Sequence, residues 1–126
     1  MGLKNTLVFG ASPNPSRYSY IAIERLVEAG LPTLAFGLRE GRVKGVFIQT
    51  SLEGIADVHT VTLYMRPTSQ QAYYDEIVQL RPKRVIFNPG TENPEFYLLL
   101  EAAGIEALVA CTLVMLSVGT YLTDSF

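Results

Sequence analysis

Short runs of apolar residues rich in β-branched side chains alternate along the chain with segments of helical periodicity. This alternation constrains the fold more than any other feature of the sequence. The runs cover residues 6–9, 33–36, 46–48, 60–65, 84–87 and 107–109. Their apolar residues are nearly continuous instead of alternating with polar ones, which predicts strands that are covered on both faces.

Helical segments lie between most of these strands. We predict helices over residues 17–29, 69–80, 93–104 and from 112 to just before 119. Asn93 is a favourable N-cap, Pro94 suits the first helical position, and Gly30 and Gly104 are typical helix stops. Thr68 and Gln71 predict a capping box at the start of the second helix. The link over residues 37–45 is too short and too rich in glycine for a helix, so we predict an irregular connection.

The resulting order, βαββαβαβα, predicts an α/β fold. Strands that alternate with helices require right-handed crossovers, which indicates a Rossmann-like, doubly wound, mainly parallel sheet with helices on both faces. The chain has no internal repeat or linker, so residues 1–126 form one predicted domain. Ligands of such sheets bind beyond the carboxyl ends of the strands, where the strand order reverses. We place that crevice between the first and fourth predicted strands.

Composition excludes several classes of protein. Ten basic residues against twelve acidic ones give a net charge of −2. The chain therefore lacks the excess of basic residues that is typical of nucleic-acid-binding proteins, which argues against that class. The longest apolar stretch, residues 107–118, is too short for a membrane span, which needs about 20 residues. No signal-like segment opens the chain, and we therefore expect a cytoplasmic protein. A single cysteine excludes a disulfide framework.

The loop after the first predicted strand has the composition of an anion site. Its suitable residues are Gly10, Ala11, Ser12, Ser16, Arg17 and Ser19. Gly10 permits a tight turn, and the helix that follows offers free N–H groups and the positive end of its dipole. Arg17 adds a fixed cation that suits a phosphate. The alternative is an ordinary turn in which Ser16 caps the helix.

The region after the second predicted strand distinguishes among nucleotide ligands. The G-x-G-x-x-G fingerprint is absent, and no acidic residue follows Gly37 in the position that would bind a ribose hydroxyl, which argues against NAD. Three cations follow instead: Arg39, Arg42 and Lys44. They indicate a phosphate on the ribose, which both NADP and coenzyme A carry. The alternative is a solvated basic loop that faces Glu40.

Two further loops lie at the predicted crevice. Arg66 and Pro67 follow the fourth strand, where Arg66 meets a ligand or lies on the surface. Gly90 follows the fifth strand, in a loop that lines a ligand slot or serves only as a turn. His59 and Cys111 are predicted at opposite ends of the sheet, so we interpret both as structural. Neither a catalytic pair nor a metal site is supported.

A run through the first strand and loop, Val8-Phe9-Gly10-Ala11-Ser12-x-x-Pro15-x-Arg17-x-Ser19, resembles the small CoA-binding domain proteins. These are relatives of the CoA-binding domain of the succinyl-CoA synthetase α subunit. The similarity covers nearly the whole chain and continues through residues 28–32, 35–39, 51–55, 88–90 and 102–111. Many relatives have Asn-Pro-Lys where this chain has Gly37-Leu38-Arg39, and Cys-Pro where it has Cys111-Thr112.

The resemblance implies coenzyme A or an acyl-CoA as the ligand. The residues that it assigns to the pyrophosphate and its helix are Gly10, Ala11, Ser12, Arg17 and Ser19. It also implies that Gly37 and Arg39 receive the adenosine end, with Arg39 on the 3′-phosphate. Arg66 and Pro67 would border the crevice, and Gly90 would lie near the pantetheine. The larger synthetases carry their phosphorylated histidine in another domain, so the resemblance implies binding without catalysis.

Three hypotheses about function follow. The first is a CoA or acyl-CoA binding module without catalytic activity of its own. The second is a small NADP-binding enzyme or sensor, which explains the basic loop but not the missing glycines. The third is a protein-interaction module with a vestigial nucleotide crevice. We also expect a homodimer, because the apolar stretch over residues 107–118 exceeds what one small core covers.

Overall fold

A computed structural model describes residues 4–122. Its seven strands are β1 (Asn5–Phe9), β2 (Thr33–Phe36), β3 (Gly41–Val43), β4 (Val46–Gln49), β5 (Val58–Leu63), β6 (Arg84–Phe87) and β7 (Glu106–Val109). Its helices are α1 (Tyr18–Glu28), α2 (Pro67–Gln70), α3 (Tyr74–Gln79), α4 (Pro94–Ala102) and α5 (Thr112–Val118), with a 3₁₀ turn (Gln71–Tyr73) between α2 and α3. None of the helices in this part of the chain has the length and apolar character needed to cross a bilayer.

The strands form one sheet in the order β3-β4-β2-β1-β5-β6-β7. Every neighbouring pair is parallel except β3 and β4. The α/β Rossmann-like fold is therefore confirmed. The strand order reverses between β1 and β5, the fourth strand of the sequence prediction. Phe9 of β1 is in register with Phe36 of β2 and Leu63 of β5, so the carboxyl ends of the three strands lie level.

Both faces of the sheet are covered. Leu7 and Phe9 of β1 face a core layer beneath α3 and α4, whose Ile77 and Phe96 are fully buried. Val8, between them in the strand, faces the opposite layer with Ile23 of α1. Because successive side chains of a strand point to opposite faces, a strand covered on both sides is apolar at most of its positions. This explains the continuous apolar runs of the sequence.

The sequence predicts an irregular connection over residues 37–45, but the structure has the strand β3 within it. This strand pairs antiparallel with β4, and the Val43–Val46 pair encloses a two-residue turn. Lys44 (φ 50°) and Gly45 (φ 82°) both have positive φ angles, as the type I′ hairpin requires. The prediction was wrong because Gly41, Arg42 and Val43 have no apolar pattern from which a strand could be predicted. Their pairing with β4 is set by the turn at Lys44 and Gly45 instead.

The segment predicted as the second helix, residues 69–80, is divided in the structure into two short helices. The first of them begins at Pro67, with Arg66 as the N-cap, and the 3₁₀ turn separates α2 from α3. The predicted capping box at Thr68 is therefore wrong, since a proline at the first helical position starts the helix earlier. The caps of α4 agree with the prediction. Asn93 Oδ1 accepts a hydrogen bond from the Phe96 N–H at 3.2 Å.

Candidate functional site

A cleft of about 550 Å³ lies beyond the carboxyl ends of β1 and β5, where the strand order reverses. The loops after β1, β2, β5 and β6 form its walls. The lining residues are Gly10, Ala11, Ser12, Pro13, Arg17, Tyr18, Ser19, Leu38, Arg39, Tyr64, Met65, Arg66, Ser69, Pro89, Gly90 and Thr91. This is the position at which open α/β sheets bind their ligands.

The loop after β1 is held tightly against both neighbouring strands. Phe36 O accepts hydrogen bonds from the N–H groups of Gly10 (2.9 Å) and Ala11 (2.8 Å). Gly10 has φ +94°, and a Cβ there would lie 3.1 Å from the carbonyl carbon of Tyr64. A side chain at this position would therefore be both strained and crowded. These two N–H groups serve the fold and are therefore not free to bind a ligand.

Gly37 occupies a contact between backbones, and it does not line the cleft. A Cβ at this position would lie 2.1 Å from Ala11 O and 3.0 Å from Ala11 C. Only glycine therefore allows the end of β2 to approach the loop after β1 this closely. Gly37 shapes the wall through Ala11.

The first turn of α1 opens onto the cleft. Arg17 is the N-cap residue, and its side chain makes no capping hydrogen bond. Ser16, a predicted alternative cap, bonds within the loop instead: its N–H and hydroxyl donate to Asn14 Oδ1 at 3.0 and 2.9 Å. Tyr18 and Ser19 at the start of the helix line the cleft. The positive end of the α1 dipole is thus presented to any ligand there.

Three arginines converge on the cleft: Arg17, Arg39 and Arg66. Arg17 and Arg39 also line an adjoining cavity of about 330 Å³, together with Ser12 and residues 13–15. No aspartate or glutamate is among the described residues that line either cavity. In a chain of net charge −2, this concentration of positive charge favours a ligand with several negative charges.

The other two predicted cations of this region point elsewhere. The Arg42 guanidinium lies over the Phe47 ring, 5.3 Å from its centroid. Lys44 Nζ lies 3.7 Å from a carboxylate oxygen of Glu28. Only Arg39 of the three lines the cleft, because the β3–β4 hairpin turns the following residues away.

The structure brings most of the predicted site residues together. Gly10, Ala11, Ser12, Arg17, Ser19, Arg39, Arg66 and Gly90 line the cleft, whereas Gly37 and Pro67 do not. Pro67 is the first residue of α2. The sequence interpretation missed several lining residues, including Tyr18 and Leu38, which are 72 % and 78 % exposed. The available signal was two large side chains beside the predicted anion site, Tyr18 at the start of α1 and Leu38 in the loop after β2.

The wall formed by the loop after β6 rests on a buried asparagine. Asn88 Nδ2 donates to Thr62 Oγ1 at 2.7 Å and to Leu63 O at 2.8 Å. Its Oδ1 accepts from the Thr112 N–H at 2.8 Å. In the adjacent loop after β5, burial raises the pKa of Tyr64 above its ordinary value, so this phenol stays protonated at neutral pH. The residues of these two loops that line the cleft are neutral apart from Arg66.

The histidine and the cysteine lie at opposite ends of the sheet. His59 is near the start of β5, where its Nδ1 lies 2.9 Å from Thr60 Oγ1. Cys111 is the N-cap residue of α5, beyond the end of β7. Within residues 4–122, no group of three His, Cys, Asp or Glu side chains is arranged to hold a metal ion.

Solved structures share the architecture of this chain. An uncharacterized protein is 47 % identical, with a TM-score of 0.90 over 96 % of this chain and 100 % of the other. A hypothetical protein from Pyrococcus horikoshii OT3 is 26 % identical, with a TM-score of 0.79 over 90 % and 80 %. A Thermus thermophilus protein is 24 % identical, with a TM-score of 0.82 over 94 % and 91 %. No functionally curated protein matches the chain.

The model of a sequence family matches residues 4–117, which include every strand of the sheet and every lining residue of the cleft. The family is described as a CoA binding domain. Both the sequence similarity and the position of the cleft agree with this match, and the chain belongs to the CoA binding domain family.

Proposed function

We propose that this protein binds coenzyme A or an acyl-CoA in the cleft beyond β1 and β5. The observation that carries the proposal is the charge of the lining: three arginines, and no carboxylate among its described residues. Coenzyme A bears a pyrophosphate and a ribose 3′-phosphate, so it needs several cationic contacts. Family membership supports the same ligand.

The distribution of the arginines suggests an orientation for the ligand. Arg17 and Arg39 share the smaller cavity with Ser12, which suits the phosphorylated ribose. The pyrophosphate would then lie at the first turn of α1, where Ser19 lines the cleft. The pantetheine would extend over the loops that carry Arg66 and Gly90, along the neutral part of the lining.

We further propose that the domain binds this ligand without catalysing a reaction on it. The side chains that most often act as general acids, bases or nucleophiles are His, Asp, Glu and Cys. None of these is among the described residues that line the cleft. Burial raises the pKa of Tyr64, which lines the cleft, so its phenol stays protonated and is not available as a base.

A thermal-shift panel tests the ligand assignment. Coenzyme A at about 100 times its Kd should stabilise the fold by ~2.7 kcal/mol, which for a domain of this size raises the Tm by about 8–15 °C. NADH has no phosphate at the 2′ or 3′ position of its adenosine ribose and should leave the Tm unchanged. A clear shift with NADPH and none with millimolar coenzyme A would contradict the proposal and favour the NADP hypothesis.

A further inference from the structure

A buried glutamine connects two of the loops that line the cleft. Gln70, the last residue of α2, is fully buried. Its Nε2 donates to Met65 O and to Thr91 O, both at 2.8 Å. Met65 belongs to the loop after β5, and Thr91 belongs to the loop after β6. One amide nitrogen therefore joins two adjacent loops on the β5–β6 side of the cleft and fixes their separation.

The same amide is held on its other side. Gln70 Oε1 accepts a hydrogen bond from Asn93 Nδ2 at 2.9 Å, which sets the orientation of the amide. Asn93 Nδ2 also donates to Tyr74 Oη at 2.8 Å, and Tyr74 Oη donates to Glu95 at 3.0 Å. A buried polar side chain is tolerated only when its hydrogen bonds are satisfied. Here the satisfied bonds specify one geometry of the two loops.

Gln70 acts on one end of the cleft only. Met65 and Thr91 line the large cleft, but neither lines the adjoining cavity that contains Arg17 and Arg39. The network therefore supports the walls that we assign to the pantetheine, not the arginines that we assign to the phosphorylated ribose.

We infer that Gln70 is a positioning residue for the pantetheine arm of the ligand. It does not line the cleft; it acts through Met65 and Thr91. The inference rests on the proposed function, because it assumes that the cleft holds a CoA-type ligand. It states that the affinity for coenzyme A depends on Gln70, whereas the affinity for the nucleotide fragment alone does not.

The variant Gln70→Glu tests this dependence. It places a carboxyl oxygen where the amide nitrogen donates to two carbonyl groups, so both wall contacts are lost. Titration calorimetry should show coenzyme A binding weakened on the order of tenfold, about 1.4 kcal/mol. Binding of adenosine 3′,5′-bisphosphate, which has no pantetheine, should be unchanged. Gln71→Glu is the matched control, because this neighbour is exposed and undergoes the same change of charge.

A second pair of variants keeps the test valid if Gln70→Glu fails to fold. Asn93→Asp retains the oxygen that caps α4 but loses the N–H donor to Gln70. It should reproduce the selective loss of affinity for coenzyme A. Tyr74→Phe removes the outer member of the network and leaves the three bonds of Gln70 intact. It should bind both ligands as the unchanged protein does.

Four outcomes decide the question. A selective loss for coenzyme A supports the inference. Equal losses for both ligands, or unchanged binding of both, would mean that Gln70 serves only the stability of the fold. If the unchanged protein binds the bisphosphate as tightly as coenzyme A, the inference fails but the phosphate end of the proposed site stands. If the unchanged protein binds neither ligand, the proposed function itself fails, and the inference fails with it.

Discussion

Arg39 is the residue on which we expect ligand discrimination to depend most directly. It lines both the cleft and the adjoining cavity, where it faces the same space as Arg17. Arg42 has a similar charge and lies three residues later, yet its guanidinium is over the Phe47 ring. A comparison of variants at Arg39 and Arg42 therefore distinguishes the effect of a cation that lines the cleft from the effect of positive charge nearby.

We predict that Arg39→Ala weakens coenzyme A binding by about 10- to 100-fold, because a charge-assisted hydrogen bond contributes roughly 1.5–3 kcal/mol. The change should hardly affect 3′-dephospho-CoA, which lacks the phosphate. Calorimetric titration of both ligands measures the difference, and Arg42→Ala is the matched control with little expected effect. Equal losses for the two ligands would assign Arg39 to the loop conformation instead.

Gly37 illustrates a residue whose role is entirely steric. We predict that Gly37→Ala lowers the free energy of unfolding by about 1–3 kcal/mol, the usual cost of overpacking, because its Cβ would overlap Ala11 O. Urea denaturation measures this cost. Coenzyme A binding should also weaken, since Ala11 lines the cleft. Unchanged stability would show that the loop after β1 yields easily and is not held by β2.

At the scale of elements, the strands were the most predictable part of the molecule. Every predicted strand overlaps one in the structure, because burial on both faces of the sheet imposes a local pattern of apolar residues. The short strand β3 was not predictable in this way. Its pairing depends on a turn at Lys44 and Gly45 with positive φ angles, and its three residues lack an apolar pattern.

In the candidate site, too, some residues could be predicted from the local sequence and others could not. Glycine, serine and arginine after β1 form a local signal, and the structure brings them to one cleft. Gln70 gave no such signal. It lies in a short helix that reads as ordinary amphipathic sequence, and it is buried only because Met65 and Thr91 meet it from two separate loops. Tertiary contacts of this kind are not encoded in any short stretch of residues.

At the scale of the whole molecule, β7 is an edge strand of the sheet. The N–H groups of Glu106 and Ala110 donate to carbonyls of Lys83 and Phe87 on the side of β6. Strand alternation therefore directs the backbone groups of the residues at 107 and 109 outward. Val109 is 56 % exposed. The strand has no lysine or proline of the kind that protects free edges.

The predicted homodimer would use this edge. Two copies of β7 that pair antiparallel about Leu108 would join the outward groups of residues 107 and 109 in each chain. We expect light scattering after size-exclusion chromatography to give twice the chain mass, and Val109→Lys to give the monomer. Phe47→Lys, on a strand near the other side of the sheet, should leave the dimer intact. A monomeric mass for the unchanged protein would refute the prediction.

The location of coenzyme A on the protein tests the account most directly. Titration of ¹⁵N-labelled protein with coenzyme A, followed by amide chemical shifts, reports which part of the fold the ligand contacts. We predict the largest shifts at Ser12, Ser19 and Gly90 beyond the carboxyl ends of the strands, and little change at His59 and Lys83 at the amino ends. Shifts concentrated at the amino ends, or none with millimolar coenzyme A, would contradict the assignment of the cleft as a CoA site.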